Sequence, residues 1–475
     1  MNTRSVVVAS IRTFFIAALA WSAAGQAATV SRYVIDDGST FAYRNPQVAM
    51  DASGNLHVVA QGRTNDFVAA GDDIFYFRLS PSGAVSTPKL GITTSGTVHD
   101  NGRAHVVTTS TGLAVVAWRE HSPKVVKAVL VDPAANAGAG GITAGPVTIM
   151  DASVNSPSHF DVAITGTDVH FVMTGSNNLW HARFSATDLS SEVAAHTVTG
   201  ISAYWQDVKL AADSNGDLHV AGRTSSVTDP WYAKLDTAGV VQIGQTVLHE
   251  DPTSPGQGTV GNHLGVAVNG SNVMVLFGDK RNTYDFNCQG CYGGQGGGAY
   301  LVTLNPAAHT GGVGAIGDIN ELRVGSEILI ANNWYVQGFR GTDGDYRIMS
   351  GSGSQGSGDI SYHKVSGSTV SSAHVSANND AYQYYRKYIV GAGNMIAWAE
   401  GVYVPTITGV STQLVAASTA AFDAAASSGT VVVVNEDDGW FGCTLGKGGP
   451  LDPTLPLLAS LAALYLARRR FHAAR

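Results

Sequence analysis

Gln47-Val48-Ala49-Met50-Asp51-Ala52-Ser53-Gly54-Asn55-Leu56-His57-Val58-Val59-Ala60 returns, little changed, as Val208-Lys209-Leu210-Ala211-Ala212-Asp213-Ser214-Asn215-Gly216-Asp217-Leu218-His219-Val220-Ala221. Each copy is an apolar run, a short cluster of Asp, Ser, Asn and Gly, and a second apolar run. Apolar and β-branched residues suit a half-buried pleat and the polar cluster supplies turn geometry, so each copy reads as strand, tight turn, strand. Weaker copies lie around His105 to Trp118, Phe160 to Met173, Leu264 to Phe277, Glu327 to Gln337 and Tyr388 to Trp398, giving seven hairpins.

Several hairpins lead into a third strand, as in Ile74 to Leu79 and Trp231 to Leu235, and a less regular fourth, such as Val241 to Leu248, fits before the next. Four short strands per unit, at a spacing of about 47 to 65 residues, predict an all-β protein, a β-propeller of seven four-stranded blades with six as the fallback. Closure comes either from Thr29 to Ile35 joining the last blade or from Val431 to Asn435 completing it.

Composition agrees. Of 475 residues, 56 are Gly and 15 Pro, and 13% are charged, which excludes collagen, coiled coil and charged disorder. The length would otherwise suggest several domains, but the repeat makes residues 28–420 one closed ring, expected to be monomeric, with 421–449 a closing strand or spacer.

The two ends read as addresses. Residues 1–27 carry Arg4 and Arg12, an apolar stretch from Thr13 to Ala24, and small residues at Gly25-Gln26-Ala27, the pattern of a secretory leader cleaved near Ala28 by signal peptidase. At the other end, Cys443 and a Gly-rich gap precede Leu451-Asp452-Pro453-Thr454, then an apolar stretch to Ala467 and Arg468-Arg469-Arg470. Residues 450–467 are long enough to cross a bilayer, and the arginines would hold that end in the cytoplasm. With both ends set aside, the formal charge falls from −8 to about −14. An acidic body disfavours a nucleic-acid partner.

The tail resembles bacterial C-terminal sorting signals of the PEP-CTERM type, in the variety called JDVT-CTERM. That resemblance implies a membrane-held precursor, removal of the tail by an intramembrane sorting protease, modification at Cys443, and delivery to the periplasm or cell surface of a bacterium. The repeated hairpin resembles units of the sialidase-like, BNR-type propeller superfamily. Its Asp box, Ser-x-Asp-x-Gly-x-Thr-Trp, is approached once, at Val34 to Phe41, without the opening Ser and with Phe41 for Trp; this argues against a catalytic sialidase.

Candidate site residues follow from hairpin geometry, because the start of each first strand and the end of each second strand share the edge opposite the turn. That edge collects His99, Asp100, His263, Tyr204, Trp205, Tyr385 and Arg386 before first strands, and Arg63, Arg119, Glu120, Arg223, Arg281 and Glu400 after second strands. In a ring these gather at one channel mouth. Arginines and aromatic rings there suit a glycan or a surface protein. Alternatively, Glu120 and Glu400, with His99, Asp100 and His263, would supply acid, base or nucleophile to a glycoside hydrolase or lyase.

His57, His170 and His219 occupy one repeated position in separate blades, so they are expected to be packed and hydrogen-bonded to backbone and not to share a metal. Cys288 and Cys291 offer two ligands where zinc needs more, and read as a local disulfide. No phosphate loop, nucleophile elbow or metalloprotease helix is present, so no cofactor is expected, and the sequence does not specify a structural cation.

Overall fold

The structure, a computed structural model, describes residues 28–30, 32–64, 72–94, 104–121, 124–151, 157–203, 208–224, 229–249, 264–279, 298–331, 336–351, 360–376, 390–404, 409–428 and 431–434. Each hairpin turn sets the direction of its blade. A glycine with positive φ sits at the first turn of all seven blades: Gly54, Gly112, Gly166, Gly216, Gly270, Gly344 and Gly393. The left-handed region is open to glycine at no steric cost, so the turn residue fixes the reversal and the flanking apolar runs pair antiparallel.

Seven four-stranded antiparallel blades result, an all-β propeller. The first strands are Phe41–Met50, His105–Thr108, His159–Thr165, Val208–Ala212, Leu264–Asn269, Val336–Arg340 and Val390–Ala392, in blades one to seven. They pack successively, blade seven back onto blade one, and enclose a channel. Hydrophobic clusters lie between neighbouring blades. Val115, Ala128 and Leu130 of blade two, for example, meet Phe171, Met173 and Trp180 of blade three, burying a continuous apolar belt.

Closure uses both chain ends, in different blades. Arg32–Asp36 pairs with Gly409–Ser418 and is the fourth strand of blade seven. Val431–Val434 instead runs parallel to Thr369–Ser376 at the rim of blade six, and Ala28–Val30 runs parallel to it in turn, making that sheet six-stranded.

One predicted hairpin is corrected. Ile328–Ala331 pairs with Gly298–Leu304 as the outer strand of blade five, whereas Val336–Arg340 pairs with Tyr346–Gly351 as the inner hairpin of blade six. The turn that makes this hairpin has Gly341 where the two clear copies have Asp51 and Asp213. A β-carbon at Gly341 would fall on the Arg347 guanidinium, so the arginine fills the space of the missing aspartate.

Arg347 also fastens the helix Ala420–Ser428 to blade six. It bonds Asp343 (2.7 Å) and Asp423 (2.6 Å), Tyr362 donates to Asp423 at 2.5 Å, and the Phe422 ring packs tilted against Tyr362 at 5.4 Å. Arg347 is only 4% exposed, so Asp423→Ala would leave a buried charge with half its partners. A loss of about 3 kcal/mol in urea unfolding is expected. Among the described residues no helix is long and apolar enough to cross a membrane; residues 450–475 lie outside them.

Candidate functional site in the central channel

The first strands stand side by side around the axis, each touching the next, and their successive residues point to opposite faces of the blade. At the centre they leave a cavity of about 250 Å³ lined from all seven blades, including Gln47, His105, Asp161, Lys209, Leu264, Gln337 and Val390. Three of these form one polar group across blades two, three and four. His105 Nδ1 lies 2.9 Å from Asp161 Oδ1, and Lys209 Nζ lies 4.0 Å from Asp161 Oδ2.

Backbone donors complete the carboxylate. Val162 N–H bonds Oδ1 and Leu210 N–H bonds Oδ2, each at 3.0 Å, the latter reaching across from blade four. Burial would raise the Asp161 pKa, but Lys209, His105 and the Leu210 amide outweigh it and hold the carboxyl down to about 2. Asp161 is therefore ionised at neutral pH. The His105 ring lies 4.7 Å from the Phe160 ring. Gln337 lines the same cavity, and its Nε2 is buried with no hydrogen-bond partner.

The arrangement offers a fixed anion, an ammonium, an imidazole and two amides within one small enclosure. Asp161 is the one carboxylate among the described residues lining the cavity. Sequence reasoning looked at the strand ends and so passed over His105, Asp161 and Lys209. Their signal was a charged residue flanked on both sides by apolar ones inside a first strand, as in Phe160-Asp161-Val162 and Val208-Lys209-Leu210.

The residues expected at the mouth are placed as follows. Arg63 Nε donates to Asp72 Oδ1 at 3.0 Å, and Arg44 bonds the other oxygen through Nε at 2.8 Å, so these two arginines meet on a carboxylate with no exposure. Arg119 is buried, and its Nη1 donates to the carbonyls of Pro157 (3.2 Å) and Ser158 (2.5 Å), tying blade two to the entry of blade three. Burial pushes the Arg119 pKa down. Arg223 is buried opposite Pro230.

Glu120 pairs with Lys127 at 2.9 Å and accepts from Trp118 Nε1 at 3.4 Å; it is not among the residues lining the cavity. Glu400 pairs with Gln413 in the strand Met395–Val404, and its side chain is outside the description. His99, Asp100, His263, Arg281, Arg386, Tyr204, Trp205, Tyr385, Cys288 and Cys291 lie outside the described residues, as do Cys443, Leu451, Asp452, Pro453, Thr454, Arg468, Arg469 and Arg470.

The repeated histidines are buried, but their partners are side chains and not backbone, which corrects the expectation. His57 bridges Asp51 (Nε2, 3.2 Å) and the Tyr76 hydroxyl (Nδ1, 2.7 Å), and His219 bridges Asp213 (3.4 Å) and Tyr232 (2.8 Å) in the same way. His170 bonds Thr165 and His181. The turn aspartate that caps the hairpin thus also holds the imidazole, which orients a tyrosine on the third strand. Tyr76→Phe and Tyr232→Phe should each cost about 1 kcal/mol in urea unfolding and add in the double variant, because the relays lie in different blades.

No family model matches the sequence, and no curated protein does. Among solved structures, the chain is similar to a protein of unknown function from Dyadobacter fermentans (11% identity over 81% of this chain and 96% of the other, TM-score 0.45). It is similar also to the GH93 α-L-arabinofuranosidase of Fusarium graminearum in complex with arabinobiose (8%, 82% and 98%, TM-score 0.40). A third is the α-L-arabinanase of Penicillium chrysogenum, again with arabinobiose (9%, 72% and 96%, TM-score 0.37).

Proposed function

We propose that this chain is an exported propeller that binds a sugar unit of a glycan in its central channel. The observation that carries this reading is the His105–Asp161–Lys209 group inside a cavity lined from all seven blades. A carboxylate that accepts, an ammonium that donates and amides that do both match the paired hydroxyls of a sugar. A space of about 250 Å³ admits the end or branch of a chain and not the folded surface of a protein. Binding is favoured over hydrolysis because two-carboxylate chemistry needs a second acid about 5 to 9.5 Å away, and Asp161 stands alone among the described lining residues.

A glycan array probed with the purified chain, beside a panel of chromogenic glycosides, tests this. Retention of a restricted set of glycans without release of chromophore is expected; turnover would return the glycoside hydrolase or lyase to first place.

The leader at 1–27 and the Leu451-Asp452-Pro453-Thr454 tail support export through signal peptidase and sorting through an intramembrane protease to the bacterial envelope. Intact-mass measurement of the surface form should show a chain beginning near Ala28 and lacking Leu455 to Arg475. A mature protein that retains the tail overturns the sorting reading.

A further inference from the structure

The polar groups of the channel are unevenly matched. Asp161 is the one carboxylate among the described lining residues, and the protein itself occupies most of its acceptor positions. Oδ1 accepts from Val162 N–H at 3.0 Å and lies 2.9 Å from His105 Nδ1, and Oδ2 accepts from Leu210 N–H at 3.0 Å. A carboxylate has about four such positions, so about one is left, on the oxygen that Lys209 faces.

Lys209 is in the opposite state. Its ammonium carries only donors, and its one anionic neighbour among the described residues is Asp161 Oδ2 at 4.0 Å, close enough for attraction and beyond hydrogen-bond distance. Gln337 lines the same cavity from blade six, and its Nε2 has no hydrogen-bond partner. The terminal amide turns about a broad torsion, so its N–H can meet a bound acceptor. A donor buried without an acceptor carries a desolvation cost that a ligand oxygen removes.

The cavity therefore lacks an acceptor, and a negatively charged one suits the ammonium best, because ion pairing is stronger in an enclosure than on an open surface. A hexuronate meets this need without added bulk: its carboxylate replaces the hydroxymethyl group of a hexose, and its ring hydroxyls remain for the open position on Asp161. A sulfate ester would enlarge the unit in a cavity of about 250 Å³. The acidic body repels a long polyanion, so the charged unit is expected at the end or branch of an otherwise neutral chain. Asp161 acts through position as well, since it holds the Leu210 amide next to Lys209 and so fixes the strand that carries the ammonium.

We infer, resting on the sugar-binding reading of this cavity, that the unit bound is a hexuronate whose carboxylate is held by Lys209 Nζ and the Gln337 amide.

The test is calorimetric titration of the full chain with short oligosaccharides that share one neutral stem and end in a hexuronate, its uronamide, the parent hexose or the hexose 6-sulfate, in the gluco, galacto and manno series. The uronamide keeps the shape and removes the charge. The best hexuronate should bind roughly tenfold or more tightly than its uronamide and hexose, as a charge-assisted hydrogen bond requires, and this preference should shrink as salt rises. In Lys209→Met the preference should fall to within about twofold. Gln337→Met should weaken hexuronate binding and leave urea unfolding unchanged or slightly harder, because it removes a buried donor that has no partner. A Gln337 with a purely structural role would lose stability instead. Equal binding of hexuronate, uronamide and hexose overturns the inference and leaves the sugar-binding reading standing. Tighter binding of the 6-sulfate, or a hexuronate preference that persists in Lys209→Met, also overturns it, the first by making the anion a sulfate and the second by placing its contact away from the ammonium. Failure of every oligosaccharide to bind overturns both readings.

Discussion

As pH falls from about 6.5 to 4, the protein is expected to lose stability steeply and to unfold in acid. Burial pushes His170 and His363 down to about 4, and burial together with His170, His196 and Arg183 pushes His181 down to about 3. Their ordinary value in an unfolded chain is about 6.5. Below that pH the unfolded chain takes up a proton at each imidazole while the folded one does not, so the unfolded state binds more protons and stability falls as pH falls. Three such groups give a slope of up to about 4 kcal/mol per pH unit until the folded values are reached.

His57 and His219 are shifted down by burial as well, with Asp51 and Asp213 opposing, and so add in the same direction. The depressed carboxyl of Asp161 acts later, its stabilisation being lost only as pH falls from about 3.8 toward 2. Against a typical total of about 5 to 15 kcal/mol, the histidines alone suffice to unfold the ring between about pH 5 and 4. Urea midpoints at a series of pH values measure the slope. His363→Gln should remove about one proton of it, since the amide can still bond Ser372, the present partner of His363 Nδ1 at 2.8 Å. A midpoint that stays level between pH 6.5 and 4.5 would refute the account.

The ring itself was legible because its cause is local and repeated. A glycine at each first turn and two apolar runs around it define a hairpin without reference to anything distant, and seven hairpins of this kind admit few arrangements. Where the local cause was substituted, the reading slipped. Gly341 removed the aspartate that marks the turn in blades one and four, and the Glu327 to Gln337 connection between blades then looked more hairpin-like than the true one. Closure was open in the sequence because Arg32–Asp36 and Val431–Val434 are both short strands rich in β-formers; packing assigns the first to blade seven and the second to blade six.

The channel group was far less visible. His105, Asp161 and Lys209 are separated by 56 and 48 positions in sequence, and nothing in their spacing brings them together. Only the succession of first strands around the axis does so. The arginines that drew attention at the strand ends have mostly structural partners: Arg63 a buried aspartate and Arg119 two carbonyls of the next blade. Guanidinium groups suit such cross-blade fastening because their planar donors satisfy several acceptors at once.

Lys209→Met and Asp161→Asn should each lower glycan affinity by roughly 10- to 100-fold, the worth of a charge-assisted hydrogen bond of about 1.5 to 3 kcal/mol. The two differ in what they do to the fold. Lys209 stands 4.0 Å from Asp161, whereas His105 at 2.9 Å and two backbone amides remain after Lys209→Met, so stability should change little. Asp161→Asn keeps one carbonyl oxygen for the Leu210 or Val162 amide but loses the charge facing His105, and a thermal loss should accompany its loss of binding. Asp161→Leu, which removes every acceptor facing Lys209 and the two backbone amides, should cost about 3 to 5 kcal/mol and is the poorer probe for that reason. Glu120→Gln separates the channel from the mouth. Its salt bridge to Lys127 is peripheral, with Glu120 14% and Lys127 29% exposed, and its removal should change stability by less than about 1 kcal/mol. If ligand affinity follows Lys209 and Asp161 and ignores Glu120, the sugar lies in the channel; if it follows Glu120 and ignores Lys209, the site is at the mouth and the channel group is a cross-blade fastener for the ring.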